Sequence, residues 1–384
     1  MGFSKDNCIK KNNSRLCGYS EISSINPKET VMVSDGDSFS EVKYIIKGSS
    51  DDLVQVDING SIPIFCTSDQ EFLVCKGGEI NTDYVAAKDL TKDDFLAIPV
   101  NMFPGESSYK YKGDSNFWTF LGIFAGLNLI SHSGAYSGLE DQINLEIESK
   151  RKDIITSLEQ ILKNLKLPYC IDPHNKDDWE VRYRIGLWDY KNEQLLAENE
   201  KNLFNEIYKS VHYYIDHTFQ DVVNWNIFCV NLEDLEVFWN ALKLVASKSC
   251  EKKKGNCFEI FHKDNVLLIS MIYHKLFHKD IKITKEARGG LDYRLYIDEE
   301  CVLSRYDEIR NYIWTQVKGV EKYVPKGDII HKPDFTTYDL VLDEPSDFIV
   351  NNVLVRGKIL KYVLIGLFSF FLKWPGNQGG GGEP

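Results

Sequence analysis

The sequence lacks the positive charge that proteins with extensive nucleic-acid contacts usually carry. Its 384 residues include 57 Asp and Glu against 45 Lys and Arg, which gives a formal net charge of -12. A protein that holds a long DNA duplex neutralises many phosphates with cationic side chains and is usually basic. Any such contact is therefore restricted to a local face. We interpret the two cationic runs, residues 252–254 and 274–285, as a solvated loop and a solvated helix face.

The sequence also lacks a membrane span, a signal segment and a disulfide framework. The apolar stretch at residues 362–372 is shorter than the ~18–20 residues that cross a bilayer, so we expect a packed or interfacial segment within the tail 358–384. The amino terminus is polar, and the nine cysteines are odd in number and scattered. Free thiols and an intracellular location, cytoplasmic or nuclear, are therefore expected.

No complete set of metal ligands stands at a recognisable spacing. His274 and His278 are four residues apart, but no His-Glu-x-x-His pattern accompanies them, so a surface pair is expected. Cys250 and Cys257 flank a predicted hairpin turn without two further ligands, which favours free thiols.

What is present is a β-rich part that a helical part interrupts. Residues 30–100 form short β-rich runs that end at turn signals such as Asp35-Gly36 and Asn59-Gly60. Strand patterns return at residues 338–342 and 348–355. Helical periodicity predicts six helices between these parts, at residues 117–130, 153–165, 195–215, 234–246, 266–277 and 305–317. The pattern predicts a β domain that is split by an inserted domain at a permissive loop.

The two β-rich parts resemble the ends of inteins, the self-splicing elements with a Hint fold. The front part opens Ser24-Ile25-Asn26-Pro27, and the block Thr67-Ser68-Asp69-Gln70 is followed at family spacing by residues 86–99. The resemblance implies that Ser24 is the splicing nucleophile and that Gln70 occupies the position of an assisting His. Glutamine forms hydrogen bonds but neither takes up nor releases a proton at neutral pH.

The back part departs further from the intein pattern. Val355-Arg356-Gly357-Lys358 stands where the family has a His-Asn pair before the downstream residue. The resemblance gives Arg356 and Gly357 the positions of the assisting base and the cyclising amide, and neither residue supplies that group. We interpret Asn351 and Asn352 as turn residues between two strands.

Residues 120–128, Phe-Leu-Gly-Ile-Phe-Ala-Gly-Leu-Asn, resemble the signature helix of LAGLIDADG homing endonucleases, which inteins often contain. Gly122 and Gly126 are the small residues of its helix interface. A second copy begins near residue 237, with Ala241 as a packing residue. The resemblance places metal-binding carboxylates at Leu127 and Ala246, where aliphatic side chains stand. We interpret Glu140 and Asp141 as solvated charges. Two ordinary buried helices without nuclease ancestry are the alternative.

These observations predict a multidomain fold, an all-β Hint domain split by an inserted α/β (α+β) LAGLIDADG-type domain. The expected segments are an amino-terminal flank 1–23, the β domain at 24–100 and 328–357, the inserted domain at 115–327 and the tail 358–384. The resemblance implies ancestral protein splicing and site-specific DNA cleavage, both degenerate here. The alternative is a DNA-binding module or repurposed nuclease that recognises DNA without splicing. We expect a monomer without a membrane span, with no cofactor unless Mg²⁺ serves an active endonuclease, and with double-stranded DNA as the implied partner.

Overall fold

A computed structural model of the protein describes most of the chain. The described residues are 7–12, 15–25, 30–77, 81–101, 113–130, 135–138, 142–148, 150–171, 180–186, 188–189, 194–195, 197–215, 225–249, 256–260, 263–285, 293–297, 304–325, 335–342 and 347–359. The predicted apolar segment 362–372, the cationic run 252–254 and the pair Glu140 and Asp141 lie outside them.

Nine strands lie in the described residues of the amino-terminal part of the chain. They are β1 (Asn7–Asn12), β2 (Arg15–Glu21), β3 (Val31–Ser34), β4 (Phe39–Ser49), β5 (Leu53–Ile58), β6 (Ile64–Thr67), β7 (Glu71–Lys76), β8 (Thr82–Ala86) and β9 (Asp94–Pro99). The predicted turn signals lie at strand ends. Gly36 follows β3 with φ +100° and Gly60 follows β5 with φ +62°, a backbone region that glycine enters without steric cost.

The middle of the chain alternates helices and strands. In chain order it contains α1 (Ser115–Ile130), β10 (Ala135–Gly138), β11 (Gln142–Glu148), α2 (Lys152–Asn164), β12 (Tyr169–Ile171), β13 (Glu180–Gly186), β14 (Trp188–Asp189), β15 (Gln194–Leu195), α3 (Glu198–Tyr214), α4 (Leu232–Ala246), β16 (Ser247–Ser249), β17 (Asn256–Ile260), α5 (Lys263–Phe277), β18 (Lys282–Lys285) and β19 (Tyr293–Tyr296). Five of the six predicted helices are confirmed as α1 to α5. None of the helices in the described part of the chain is long and apolar enough to cross a membrane.

The last six strands are β20 (Ser304–Asp307), β21 (Tyr312–Lys322), β22 (Thr336–Leu342), β23 (Asp347–Val350), β24 (Val353–Arg356) and β25 (Lys358–Ile359). They join the amino-terminal strands in one 15-stranded sheet. β22 pairs antiparallel with β4, and β24 pairs with β7 through Val355 and Phe72. The front and back β-rich parts are therefore hydrogen-bonded to each other despite their separation in sequence.

The predicted sixth helix, residues 305–317, is wrong. Ile309, Ile313 and Val317 stand at helical spacing, but Asp307 accepts the backbone N–H groups of Ile309 and Arg310 and closes a turn. Asn311 then has φ 56° and sends the chain back as β21. β20 pairs with β21, and β21 pairs with β9 and β5, so both strands belong to the large sheet although they lie within the predicted inserted segment 115–327.

The prediction of a surface pair at His274 and His278 is also wrong. His274 is fully buried in α5, while His278 is exposed and stacks on the Tyr306 ring at 4.3 Å between centroids. With φ 51°, His278 leaves the helical conformation directly after α5, so the two side chains do not share a helix face. Among the cysteines, Cys257 is disulfide-bonded, which contradicts the free thiol predicted there.

Buried polar contacts connect α5 to the large sheet. Asn352, in the turn between β23 and β24, donates its side-chain amide to the Ser270 hydroxyl at 2.8 Å and to the Leu267 carbonyl at 3.2 Å. Asp280, three residues after the end of α5, accepts a hydrogen bond of 2.6 Å from Thr315 of β21. These groups are shielded from water, so each contact is costly to break.

We expect Asn352→Gly to destabilise the protein by about 1–3 kcal/mol. Glycine keeps the left-handed backbone at this turn, φ 70°, and removes only the amide that reaches α5. The free energy of unfolding from urea titration measures the effect. Lys166→Gly is the matched control, because Lys166 has φ 55° but is exposed. Equal effects of the two substitutions would contradict a role for the buried contact.

Candidate functional site

Two units of identical topology form the middle of the molecule. Each consists of a helix, two strands, a second helix and two further strands, starting with α1 and with α4. Their antiparallel sheets have the orders β10-β11-β13-β12 and β16-β17-β19-β18, so the first, second, fourth and third strands are neighbours in both. The sequence indicated a second copy of the first helix near residue 237, but not the repeated strand order.

The first helices of the two units cross at very short distance. A Cβ atom on Gly122 would lie 2.3 Å from the Phe238 carbonyl oxygen and 2.7 Å from the Ala241 Cβ. One on Gly126 would lie 2.8 Å from the Val245 Cβ and 3.1 Å from the Leu242 carbonyl oxygen. Real Cβ atoms essentially never come within 3.0 Å of such neighbours. The contact between α1 and α4 therefore depends on the absence of side chains at these two glycines.

The positions assigned to metal-binding acids lie next to this crossing. Leu127 is 3% exposed and Ala246 is 1% exposed. Mg²⁺ requires hard oxygen ligands at short distance, and these two aliphatic side chains offer none. The residues present do not fit the metal that the endonuclease resemblance implies. Within the described residues, no group of three or more His, Cys, Asp or Glu side chains is placed to hold a metal ion.

The end of α4 contacts a guanidinium group rather than a carboxylate. Arg151 donates from Nη2 to the Leu244 carbonyl oxygen at 2.8 Å, and its Nε lies 3.4 Å from the Asp153 carboxylate. Carbonyls of the last helical turn lack intrahelical partners and carry partial negative charge, so a cation stabilises this end of the helix. Sequence reasoning missed Arg151, because nothing in its local sequence indicates a contact with α4.

Strand alternation gives each four-stranded sheet a buried face and a solvated face. In β13, Tyr183 and Ile185 are buried, whereas Arg182 and Arg184 are partly exposed. In the second sheet Phe258, Ile283 and Leu295 are buried, whereas Lys282 and Arg294 are partly exposed. Arg294 forms a salt bridge of 2.9 Å with Glu259. The solvated faces thus carry several cations within an acidic protein.

The positions that the intein resemblance assigns to splicing lie in or directly beside strands of the large sheet, except Ser24. Ser24 is exposed at the end of a 3₁₀ helix, Ile22–Ser24, which contacts β22. Gln70 is 1% exposed, and its Nε2 donates to the carbonyl oxygens of Arg356 at 3.0 Å and of Glu71 at 3.1 Å. The structure therefore brings positions 70 and 356 together across two neighbouring strands. Gly357 follows β24 and is partly exposed.

Arg356 is held by two groups that sequence reasoning missed, and a third orients one of them. Its Nη1 lies 3.1 Å from the Glu71 carboxylate, and its guanidinium lies 4.4 Å from the Tyr84 ring centroid. Tyr84 donates its hydroxyl to Asp347 at 2.6 Å. Burial raises the pKa of Asp347 despite this hydrogen bond, and burial and Asp347 together raise the pKa of Tyr84. This cluster orients the last strands, but Gln70 neither takes up nor releases a proton and Gly357 has no side-chain amide for cyclisation.

Comparison with known proteins finds similarity only to solved structures, at low TM-score. No protein-family model matches the chain, and no curated protein matches it. Solved structures of the homing endonuclease I-DmoI are similar to part of it. Mesophilic variants of I-DmoI share 12% identity at a TM-score of 0.29 and cover 48% of this chain and 90% of theirs. A complex of I-DmoI with its target DNA in the presence of manganese shares 13% identity at 0.29 and covers 48% and 88%. TM-scores this low do not support any inference about the fold or function of this chain. The description of the site therefore rests on its own geometry.

Proposed function

We propose that this protein is a degenerate intein-like homing endonuclease that neither splices nor cleaves DNA and retains binding to double-stranded DNA. The crossing of α1 and α4 carries the proposal, because it keeps the glycine-dependent packing while Leu127 and Ala246 replace the acids. In this proposal the large sheet corresponds to the Hint domain and the two repeated units to the inserted domain.

The solvated faces of the two four-stranded sheets support the DNA-binding part. Arg182 and Arg184 are alternate residues of β13, which projects both on the face opposite Tyr183 and Ile185. Lys282 and Arg294 occupy the corresponding face of the second sheet. Arg182 pairs in register with Glu146 and Arg294 with Glu259, so the faces carry both signs, and their cations supply the sequence-independent phosphate contacts of the proposal. A local face of this kind is compatible with the negative net charge.

We expect the purified chain to bind a fluorescein-labelled duplex of mixed sequence, ~40 base pairs or about four helical turns long. The logarithm of the association constant falls linearly with the logarithm of the salt concentration. The magnitude of this slope should be smaller by about 2 in Arg182→Ala/Arg184→Ala, since each lost phosphate contact lowers it by ~0.9. Fluorescence anisotropy at several salt concentrations measures both quantities. Lys152→Ala/Lys163→Ala removes the same charge from exposed positions of α2 and should leave the slope unchanged. No binding by the unmodified chain would refute the DNA-binding part.

We also expect the chain to remain full length. Splicing requires an assisting base and a cyclising amide at the end of the element, and Gln70, Arg356 and Gly357 supply neither. Intact mass spectrometry after prolonged incubation provides the measurement. A ligated product that joins residues 1–23 to the segment from Lys358 would contradict this part of the proposal. Cleavage at the Ser23-Ser24 bond alone would not contradict it, because the Ser24 hydroxyl is still available as a nucleophile.

A further inference from the structure

The disulfide at Cys257 lies on the face of the second four-stranded sheet to which the proposed function assigns DNA. In β17, Phe258 packs in the core, so its neighbours Cys257 and Glu259 project from the opposite face. Cys257 pairs in register with Tyr296 of β19, and Glu259 pairs with Arg294. The disulfide therefore shares its face with the cation Arg294.

Two residues on this face are buried, although neither belongs to the hydrophobic core of the described residues. Cys257 is 1% exposed and Tyr296 is 7% exposed. The Lys282 ammonium lies 5.4 Å from the centroid of the Tyr296 ring and covers one part of it. A disulfide holds the Cα atoms of its two cysteines ~4.4–6.8 Å apart. The segment that carries the second cysteine is therefore held within one side-chain length of this face.

The partner of Cys257 is one of four cysteines of the chain. Of the nine cysteines in the sequence, the free thiols are Cys66, Cys75, Cys170 and Cys229. The cysteines that remain are Cys8, Cys17, Cys250 and Cys301. None of these four stands in strands β16 to β19. The bond therefore attaches to the DNA face a segment that is not part of the second four-stranded sheet.

We infer that the disulfide of Cys257 closes an autoinhibitory contact, in which it holds this segment over the second sheet and keeps DNA off that face. The inference rests on the proposed function and adds redox control to it. A layer packed on a sheet lies about 10 Å from it, so the segment separates Lys282 and Arg294 from the phosphates of a duplex. The strands of the first four-stranded sheet have no such bond, because their one cysteine, Cys170, is free. The oxidised chain thus binds DNA through one sheet rather than two.

Reduction of the disulfide opens the contact in this proposal. A dithiol supplies two electrons and two protons, the sulfur–sulfur bond breaks into the thiols of Cys257 and its partner, and the dithiol becomes a disulfide itself. Without the cross-link, the high effective concentration of the segment at the sheet is lost, and the segment competes with DNA by packing alone. The reduced chain presents both sheets to the duplex.

The test measures binding of the mixed-sequence duplex to the full chain with and without dithiothreitol, by fluorescence anisotropy. We expect reduction to tighten binding at least about tenfold at low salt and to increase the magnitude of the salt slope by about 2, because Lys282 and Arg294 each add ~0.9. Cys257→Ser should bind like the reduced chain under both conditions. The matched control, Cys229→Ser, removes a partly exposed free thiol and should keep the full response to dithiothreitol.

A measurement without DNA tests the contact itself. Peptide mapping by mass spectrometry under non-reducing conditions identifies the partner cysteine, and its serine variant replaces Cys257→Ser if that variant does not fold. After reduction, iodoacetamide should label Cys257 in the folded chain, because the covering segment leaves the sheet. Cys66, which is fully buried in the core, should stay unlabelled. Thermal midpoints above the assay temperature confirm that each variant is folded.

The outcomes separate the two proposals. If the oxidised and reduced chains bind the duplex with equal affinity, the autoinhibitory contact is overturned and the proposed function stands. Weaker binding after reduction would also overturn it, because the bond would then support the DNA surface. If the duplex binds neither form, the proposed function fails and its redox control fails with it. A Cys257 thiol that resists iodoacetamide after reduction, as Cys66 does, would overturn the contact whatever the DNA result.

Discussion

Gly122→Ala destabilises the protein by about 3 kcal/mol in our expectation, although alanine is the better helix former. In an open helix position the change would gain about 1 kcal/mol. Here the new methyl group would lie 2.3 Å from the Phe238 carbonyl oxygen and 2.7 Å from the Ala241 Cβ. The two contacted atoms are a backbone oxygen and a Cβ, which cannot rotate away, so α1 and α4 must separate to relieve the clash. Overpacking of this kind commonly costs about 1–3 kcal/mol or more.

The measurement is the free energy of unfolding from urea titration followed by far-UV circular dichroism. Gly319→Ala is the control, because a Cβ there meets no atom within 4 Å, and its effect should stay within ~0.5 kcal/mol. Gly126→Ala should fall between the two, since its nearest contacts are 2.8 and 3.1 Å. An increase in stability for Gly122→Ala would show that the two helices are not packed at this distance.

Leu127→Asp/Ala246→Asp should create a site for divalent metal and, without metal, destabilise the fold by about 3–5 kcal/mol. The two positions are 3% and 1% exposed, so both carboxylates would lose hydration. Burial and mutual repulsion would raise at least one carboxyl pKa above its unfolded value. The charge penalty is then present above that raised pKa and shrinks as the pH is lowered through it. A bound cation would offset the repulsion and stabilise the folded state by mass action.

Calorimetric titration with Mn²⁺, together with the thermal midpoint at increasing Mn²⁺, measures both effects. Leu127→Asn/Ala246→Asn keeps the size of the new side chains without their charge and should bind no metal. Ala246→Asp alone is a milder variant for the case in which the double substitution does not fold. Tight Mn²⁺ binding at this junction by the unmodified chain would contradict the loss of cleavage and support an active endonuclease.

Local sequence patterns predicted the elements that local interactions determine. The helices α1 to α5 followed from the spacing of apolar residues, because a helical face is a property of a short segment. Turns at Gly36 and Gly60 followed from Asp-Gly and Asn-Gly pairs for the same reason. The pattern failed at residues 304–322, where isoleucines at helical spacing belong to a turn and a strand. There, pairing with β9 and β5 outweighs local periodicity.

The sequence by itself determined which reactive groups the protein can present. Gln70 carries no transferable proton, Gly357 has no amide side chain, and Leu127 and Ala246 have no carboxylate, because these properties belong to single residues. Only the tertiary structure decided which residues meet. The contact of Gln70 with Arg356, the bond of Arg151 to α4 and the burial of His274 all join positions that pairing and packing over long sequence distances bring together. Such contacts depend on the whole fold, so no local pattern in the chain indicates them.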